Sequence, residues 1–201
     1  MKGILDFRGV KLEIVPEIYM PREDSFLFID NLKYEMVGEN VFTEIGVGSG
    51  IISLSIGDKS SSIIGVDINM IAALISKKNA YSNNYDNYLG VCGDGVKSFR
   101  KKSLGRKIIF NPPYLPEDSE IDPYSPKHEL QQLVGGKKGD EVINSIINSL
   151  DDSVNMVFTM ISSLATNPIE FSINKKEWNI SVVSSENLGF ETIWLLKLEK
   201  I

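Results

Sequence analysis

Lys107-Ile108-Ile109-Phe110-Asn111-Pro112-Pro113-Tyr114 is the stretch from which the rest of the chain can be read. Its first half is a short apolar run of the kind that forms a buried strand. The two prolines end that strand, because neither can donate to a sheet ladder. Asn111 and Tyr114 are thereby left at a strand's carboxyl end, the edge at which open α/β sheets bind ligands. A planar amide, two exposed carbonyls and an aromatic ring side by side make a receptor for a planar NH₂ group. The same tetrapeptide also reads as a plain strand-ending turn. The residues upstream decide between the two.

Upstream, Val41-Phe42-Thr43-Glu44-Ile45 reads as a strand that runs into Gly46-Val47-Gly48-Ser49-Gly50, with a helix beginning at Ile51. Glycines in such a loop let the backbone approach a ligand closely. The spacing is G-x-G-x-G rather than G-x-G-x-x-G, and Glu44 stands just before it, which favours a ligand with an amino-acid tail over a pyrophosphate. No Lys-Ser/Thr follows, so a P-loop is excluded. A second strand, Ser62 to Val66, ends in Asp67, about 20 residues past the glycines, where a ribose-binding carboxylate belongs. Asp67 or Asn69 also suits the cap of the next helix, whose apolar stripe includes Ile71, Ala72, Leu74 and Ile75. A third strand, Tyr88 to Cys92, leads to Gly93-Asp94-Gly95; Asp94 can accept from an adenine amine or simply favour a turn. Earlier in the chain, Tyr19-Met20-Pro21-Arg22-Glu23-Asp24-Ser25 opens a helix, with the two acids suited to its positive end.

After Tyr114, residues 115–132 read as a long loop, expected to form the substrate-facing rim. Leu133 to Asp140 reads as a flexible turn, with Asp140 capping a helix that carries Val142 to Leu150. A strand is expected from Val154 to Ile161 and a helix from Asn167 to about Trp178. Asn179–Ser185 and Phe190–Glu199 read as an antiparallel pair. Residues 4–15 suggest a hairpin around Arg8-Gly9. The expected fold is α/β: a doubly wound, mainly parallel seven-stranded sheet with an antiparallel C-terminal strand, in one domain over 1–201, residues 1–18 being an N-terminal extension.

The chain has 201 residues, is 42% hydrophobic and carries a formal net charge of -6. That is enough for one sizeable core. Its acidity argues against a grip on nucleic-acid phosphates. One cysteine, Cys92, excludes an internal disulfide, fits a reducing cytoplasm and reads as a buried small hydrophobe. No Cys/His cluster suggests a metal. The single histidine, His128, has no triad partner, and no apolar run is long enough to span a bilayer.

Y-M-P-R-E-D-S-F, E-I-G-V-G-S-G, V-D-I-N, N-P-P-Y and G-G-K-K-G-D-E, in that order, resemble the class I S-adenosylmethionine-dependent methyltransferases of the HemK/PrmC group. Those enzymes methylate the side-chain amide of the glutamine in the Gly-Gly-Gln motif of peptide release factors. The P-x-E-D-S form points to the short archaeal and eukaryotic branch, without the N-terminal helical domain of bacterial members. The resemblance implies S-adenosylmethionine as donor and S-adenosylhomocysteine as product. It assigns Gly46, Gly48 and Gly50 to the cofactor's methionine part, Glu44 to its amino group, and Asp24 and Ser25 to the same end. Asp67 takes the ribose and Asp94 the adenine. Asn111, Pro112, Pro113 and Tyr114 hold the target NH₂. In the short branch a small zinc-binding activator subunit often lies along the edge strand, here Tyr88 to Cys92.

Other readings remain. N-P-P-Y also occurs in enzymes that methylate adenine N6 or guanine N2 in DNA or RNA, which must extract a base from its stack. Protein lysine methylation is compatible with the same motif. A non-catalytic binding module is disfavoured by the intact acids, and a nicotinamide dehydrogenase by the glycine spacing.

Overall fold

The computed structural model describes residues 3–117, 132–166 and 177–201. The helix expected from Asn167, most of the 115–132 loop and His128 lie outside the described residues. β1 (Gly3–Phe7) and β2 (Val10–Ile14) form the antiparallel hairpin expected around Arg8-Gly9. Both turn residues take positive φ, 49° and 88°.

α1 (Glu23–Leu32) follows, then β3 (Val41–Ile45), α2 (Ile51–Ile56), β4 (Ser62–Asp67), α3 (Met70–Ser82), β5 (Tyr88–Cys92) and β6 (Lys107–Phe110). The short strands β7 (Leu115–Pro116) and β8 (Val134–Gly136) pair with each other. After them come α4 (Glu141–Asn148), β9 (Met156–Ser162), β10 (Trp178–Asn187) and β11 (Thr192–Lys200). Seven strands form one sheet in the order β10-β11-β9-β6-β3-β4-β5. β11 runs antiparallel to both its neighbours; the pairs among β9, β6, β3, β4 and β5 are parallel. This is the expected architecture.

Core residues sit on both faces because strand side chains alternate. In β6, Ile109 packs on the face covered by α1 and α2, where Phe28, Leu32 and Leu54 meet Phe42 and Phe158. Ile108 and Phe110 pack on the opposite face against Ile143, Ile146 and Ile147 of α4. β6 is thus buried on both faces, which is why it reads as a continuous apolar run. The hairpin is held by two buried amides, Asn79 in α3 and Asn83 at its C-terminal cap. Asn83 accepts from Lys11 N at 2.9 Å and donates to Lys11 O at 2.7 Å; Asn79 accepts from Glu13 N at 2.7 Å.

From β3 the chain steps outward through β4 to β5, then returns to place β6 on β3's other side. That reversal is the topological switch point, where such sheets bind ligands beyond the carboxyl ends of their strands.

Three local expectations are corrected. Cys92 is exposed, because it ends an edge strand that has no neighbour beyond it among the described residues. Asp140 precedes α4 but makes no capping bond; Glu141 accepts from Lys138 N instead. Val134–Gly136, expected within a flexible turn, is a strand because Leu115 pairs with Val134.

Candidate active site

The glycine loop after β3 and the N-P-P-Y turn after β6 meet at the switch point. Gly46, Gly48 and Gly50 have φ of 68°, 53° and 83°, left-handed values that favour glycine. Their surroundings differ. A Cβ at Gly48 would meet nothing within 4 Å, so this backbone faces open space. One at Gly46 would lie 3.6 Å from the Asn111 carbonyl oxygen, and one at Gly50 would lie 3.3 Å from Ser76 Cβ. Gly50 therefore serves packing against α3, and Gly48 borders the crevice.

Asp67 ends β4 and braces this loop. Its Oδ2 accepts from Gly48 N and its Oδ1 from Asn69 N, both at 2.9 Å. Burial pushes its carboxyl above the ordinary carboxylate range, against the pull of these two N–H groups. Asn69 is the helix cap, accepting from Ile71 N at 2.9 Å. Each Asp67 oxygen keeps lone-pair capacity for a further donor.

Glu44 is placed differently from the two aspartates. It is buried, and its Oε2 accepts from Ser53 N at 3.0 Å and from the Ser53 hydroxyl. Burial pushes its carboxyl up to about 8, the Ser53 bonds opposing that shift. Its structural partner is thus the first turns of α2. Asp94 follows β5 in the row expected for it, but its side chain is 60% exposed and pairs with Lys97 at 2.8 Å. A solvent-exposed pair of this kind holds little energy and is readily exchanged for a ligand donor.

On the acceptor side, Asn111 donates through Nδ2 to Asp24 Oδ2 at 2.9 Å. Asp24 lies in the first turn of α1, 4% exposed. Its Oδ1 accepts from Ser25 N at 2.7 Å and its Oδ2 also accepts from the Tyr19 hydroxyl at 3.1 Å. Ser25 is buried beside it. Asn111 Oδ1 is buried with no hydrogen-bond partner among the described residues. Such an orphan acceptor costs about 1–3 kcal/mol and marks a place where a donor is wanted.

Tyr114 packs against both core clusters, one from each face of the sheet. Burial holds its hydroxyl well above the ordinary phenol range, with Asp24, Tyr19 and Glu191 acting the same way. Pro112 is buried between Asn111 and Pro113. The glycine segment 135–139 backs this turn: a Cβ at Gly135 would press into the Pro113 carbonyl oxygen, and one at Gly139 would lie 2.6 Å from the Tyr114 carbonyl oxygen.

The geometry adds residues that sequence reasoning missed. Tyr19 stood in a quoted motif but gained no role until its hydroxyl was seen on Asp24. Ser53 holds Glu44. Glu191, 7% exposed, accepts from the Ser162 hydroxyl at the end of β9. Burial raises its carboxyl and Asp24 adds to the rise, so the two acids feel one another. Only the reversed direction of β11 brings Glu191 to this edge, and no local signal announces it. Among the described residues, no group of three or more potential metal ligands is present, and no helix is long and apolar enough to cross a membrane.

Residues 23–123 match the family model of the methyltransferase small domain. The chain is 38% identical over 157 residues to a putative protein N5-glutamine methyltransferase of Methanocaldococcus jannaschii, covering 73% of this chain and 72% of that protein. It is 27% identical over 219 residues to the eRF1 methyltransferase catalytic subunit mtq2 of Schizosaccharomyces pombe, covering 96% and 93% of the two chains. Among solved structures, the fold is shared with the E. cuniculi Mtq2–Trm112 complex, responsible for methylation of the eRF1 translation termination factor. That similarity has a TM-score of 0.70 at 21% identity, over 92% of this chain and 99% of that one.

Proposed function

The chain belongs to the HemK/PrmC-type methyltransferases of the methyltransferase small domain family, and from that premise we propose that it methylates the side-chain amide nitrogen of a glutamine in a peptide release factor. The observation that carries the reading is the unpartnered Asn111 Oδ1 at the switch point, next to the glycine loop. An orphan acceptor there suits an incoming NH₂.

The residues present fit S-adenosylmethionine as donor. Gly48 borders open space, and Asp67 has acceptor capacity beside it. When bound, S-adenosylmethionine supplies a methyl group already activated by its sulfonium. Gly46 and Gly48 would let the backbone come close to its methionine part, Asp67 would accept from its ribose hydroxyls, and Asp94 would take its adenine amine in exchange for Lys97. Asn111 Oδ1 and the Pro112 carbonyl would accept the two hydrogens of the target amide, with Tyr114 stacked on its plane. Two acceptors on those hydrogens draw an amide nitrogen toward a pyramidal shape. Fixing nitrogen, carbon and sulfur in line contributes roughly 7–11 kcal/mol. The negative groups near Tyr114 (Asp24, Glu191 and Glu23) suit a cationic donor.

A small activator subunit is the partner we assign to the β5 edge. Among the described residues β5 pairs only with β4, which leaves its outer backbone groups as a free sheet edge. Leu89 on that strand is 52% exposed, and Ile68, Met70 and Leu74 leave further apolar surface on the adjoining turn and helix. A parallel or antiparallel strand from a partner would complete this edge. The setting is the cytoplasm, where release factors act.

The test is transfer of labelled methyl from S-adenosylmethionine to a release factor, with DNA, RNA and histone controls, with and without a Trm112-like subunit. Label on the release-factor glutamine is expected. Label on nucleic acid alone would overturn the substrate assignment. Asn111→Ala is expected to keep donor binding by calorimetry and to lower turnover about 10²-fold or more.

A further inference from the structure

We propose that Asp24 is the positioning residue that fixes which end of the Asn111 amide faces the target nitrogen, a role that rests on the amide-methylation reading of this site. The side-chain amide of asparagine is nearly symmetric in shape but opposite in character at its two ends: an oxygen that accepts and an NH₂ that donates. A half-turn about its last bond exchanges them. Facing a target NH₂, only the oxygen works, since two donors cannot bond to each other. An asparagine in this role therefore needs a neighbour that tells its two ends apart.

Asp24 is such a neighbour. Its Oδ2 stands 2.9 Å from Asn111 Nδ2. A carboxylate accepts and does not donate. The half-turned amide would set Asn111 Oδ1 against Asp24 Oδ2, two acceptors at hydrogen-bond distance with no proton between them. The bond therefore selects one orientation, and the amide's other end, Oδ1, is the end left without a partner. Asp24 is itself held from two sides. Ser25 N donates to its Oδ1 at 2.7 Å, and the Tyr19 hydroxyl donates to its Oδ2 at 3.1 Å. The contact joins the first turn of α1 to the end of β6, residues 87 apart in sequence. Asp24 thus acts on the reaction through Asn111.

Two measurements test this. In an ¹⁵N spectrum of the full chain, the Asn111 side-chain amide is identified as the pair of resonances that vanishes in Asn111→Ala. One Nδ2 proton is expected downfield and protected from solvent exchange. Asp24→Asn is expected to abolish that protection, because the new amide can donate as well as accept. Tyr19→Phe, which leaves the Asn111 bond in place, is expected to keep it. An unprotected Nδ2 in the unaltered protein, or protection unchanged in Asp24→Asn, overturns the proposal without any recourse to activity.

The second measurement is a double-mutant cycle on turnover with a release factor. Asp24→Asn is expected to lower kcat about tenfold to a hundredfold while the KM for S-adenosylmethionine stays within about threefold. In the Asn111→Ala background the same change is expected to cost nothing further. Fully additive losses, or a raised KM with kcat intact, would make Asp24 a structural or donor-binding residue and overturn the proposal. Absence of release-factor methylation by the unaltered protein would defeat the substrate reading alone, and the spectroscopic arm would still decide the hold of Asp24 on Asn111.

Discussion

At the scale of single residues, Glu44 has an unfavourable setting for a charge. Its carboxyl is raised by burial from an ordinary 4.5 to about 8, so the folded state keeps a proton that the unfolded state releases. Below about 4.5 both states are protonated and the contribution to stability is fully present. As pH rises from there through about 8 the contribution is lost, and above that the slope ends. Glu44→Gln mimics the protonated form and keeps an acceptor for Ser53. The melting temperature of the unaltered protein is therefore expected to fall relative to that of Glu44→Gln between about pH 5 and pH 8.5, measured by scanning calorimetry. Parallel curves would mean that Glu44 is ionised throughout. An acid at the end of this strand was legible in the sequence. Its engagement by Ser53, nine residues on and across the glycine loop, was not, because the loop's left-handed turns set the direction of the following helix. Asn111 was legible as the residue that follows a strand's carboxyl end for a local reason, the prolines that follow it. Its orienting partner lies 87 residues upstream and has no local signature.

At the scale of elements, the β7–β8 pair and the glycine segment behind it explain the later G-G-K-K-G-D-E motif. Gly135 has no room for a side chain, because the Pro113 carbonyl and the Gly139 backbone occupy the space a Cβ would take. Gly135→Ala is expected to destabilise the fold by about 1–3 kcal/mol and to lower turnover more than donor affinity, since the displaced segment carries the acceptor side. Equal donor and acceptor losses in calorimetry and kinetics would place the damage elsewhere. The exposed edge of β5 gives a second expectation. Leu89→Glu should abolish co-elution with a Trm112-like subunit in size-exclusion chromatography and leave the melting temperature within a few degrees, because Leu89 already has about half of its surface in solvent, at 52% exposure. The strands themselves were legible, since β3, β4, β5 and β6 are short apolar runs, each punctuated by glycine, proline or an acid. Cys92 was misread because period and composition cannot tell an inner strand from an edge one.

At the scale of the whole molecule, a net charge of -6 bears on the choice of macromolecular substrate. Competitor tRNA or duplex DNA is expected to leave release-factor methylation unchanged at about 50 mM salt, where phosphate contacts would be strongest. Strong inhibition that disappears as salt is raised would favour a nucleic-acid substrate. The doubly wound plan followed from alternating strands and helices, but the place of Glu191 depended on which way β11 runs, a global property. The sheet order has one more consequence. The residues proposed to bind the donor (Gly46, Gly48, Asp67 and Asp94) precede β6 in the chain, whereas Tyr114 and the glycine segment 135–139 behind it follow it. The two inventories meet only at the reversal between β3 and β6. Heritable change can therefore act on them separately: a lineage can exchange one acceptor for another by drift in the second half while the first half is passed on intact.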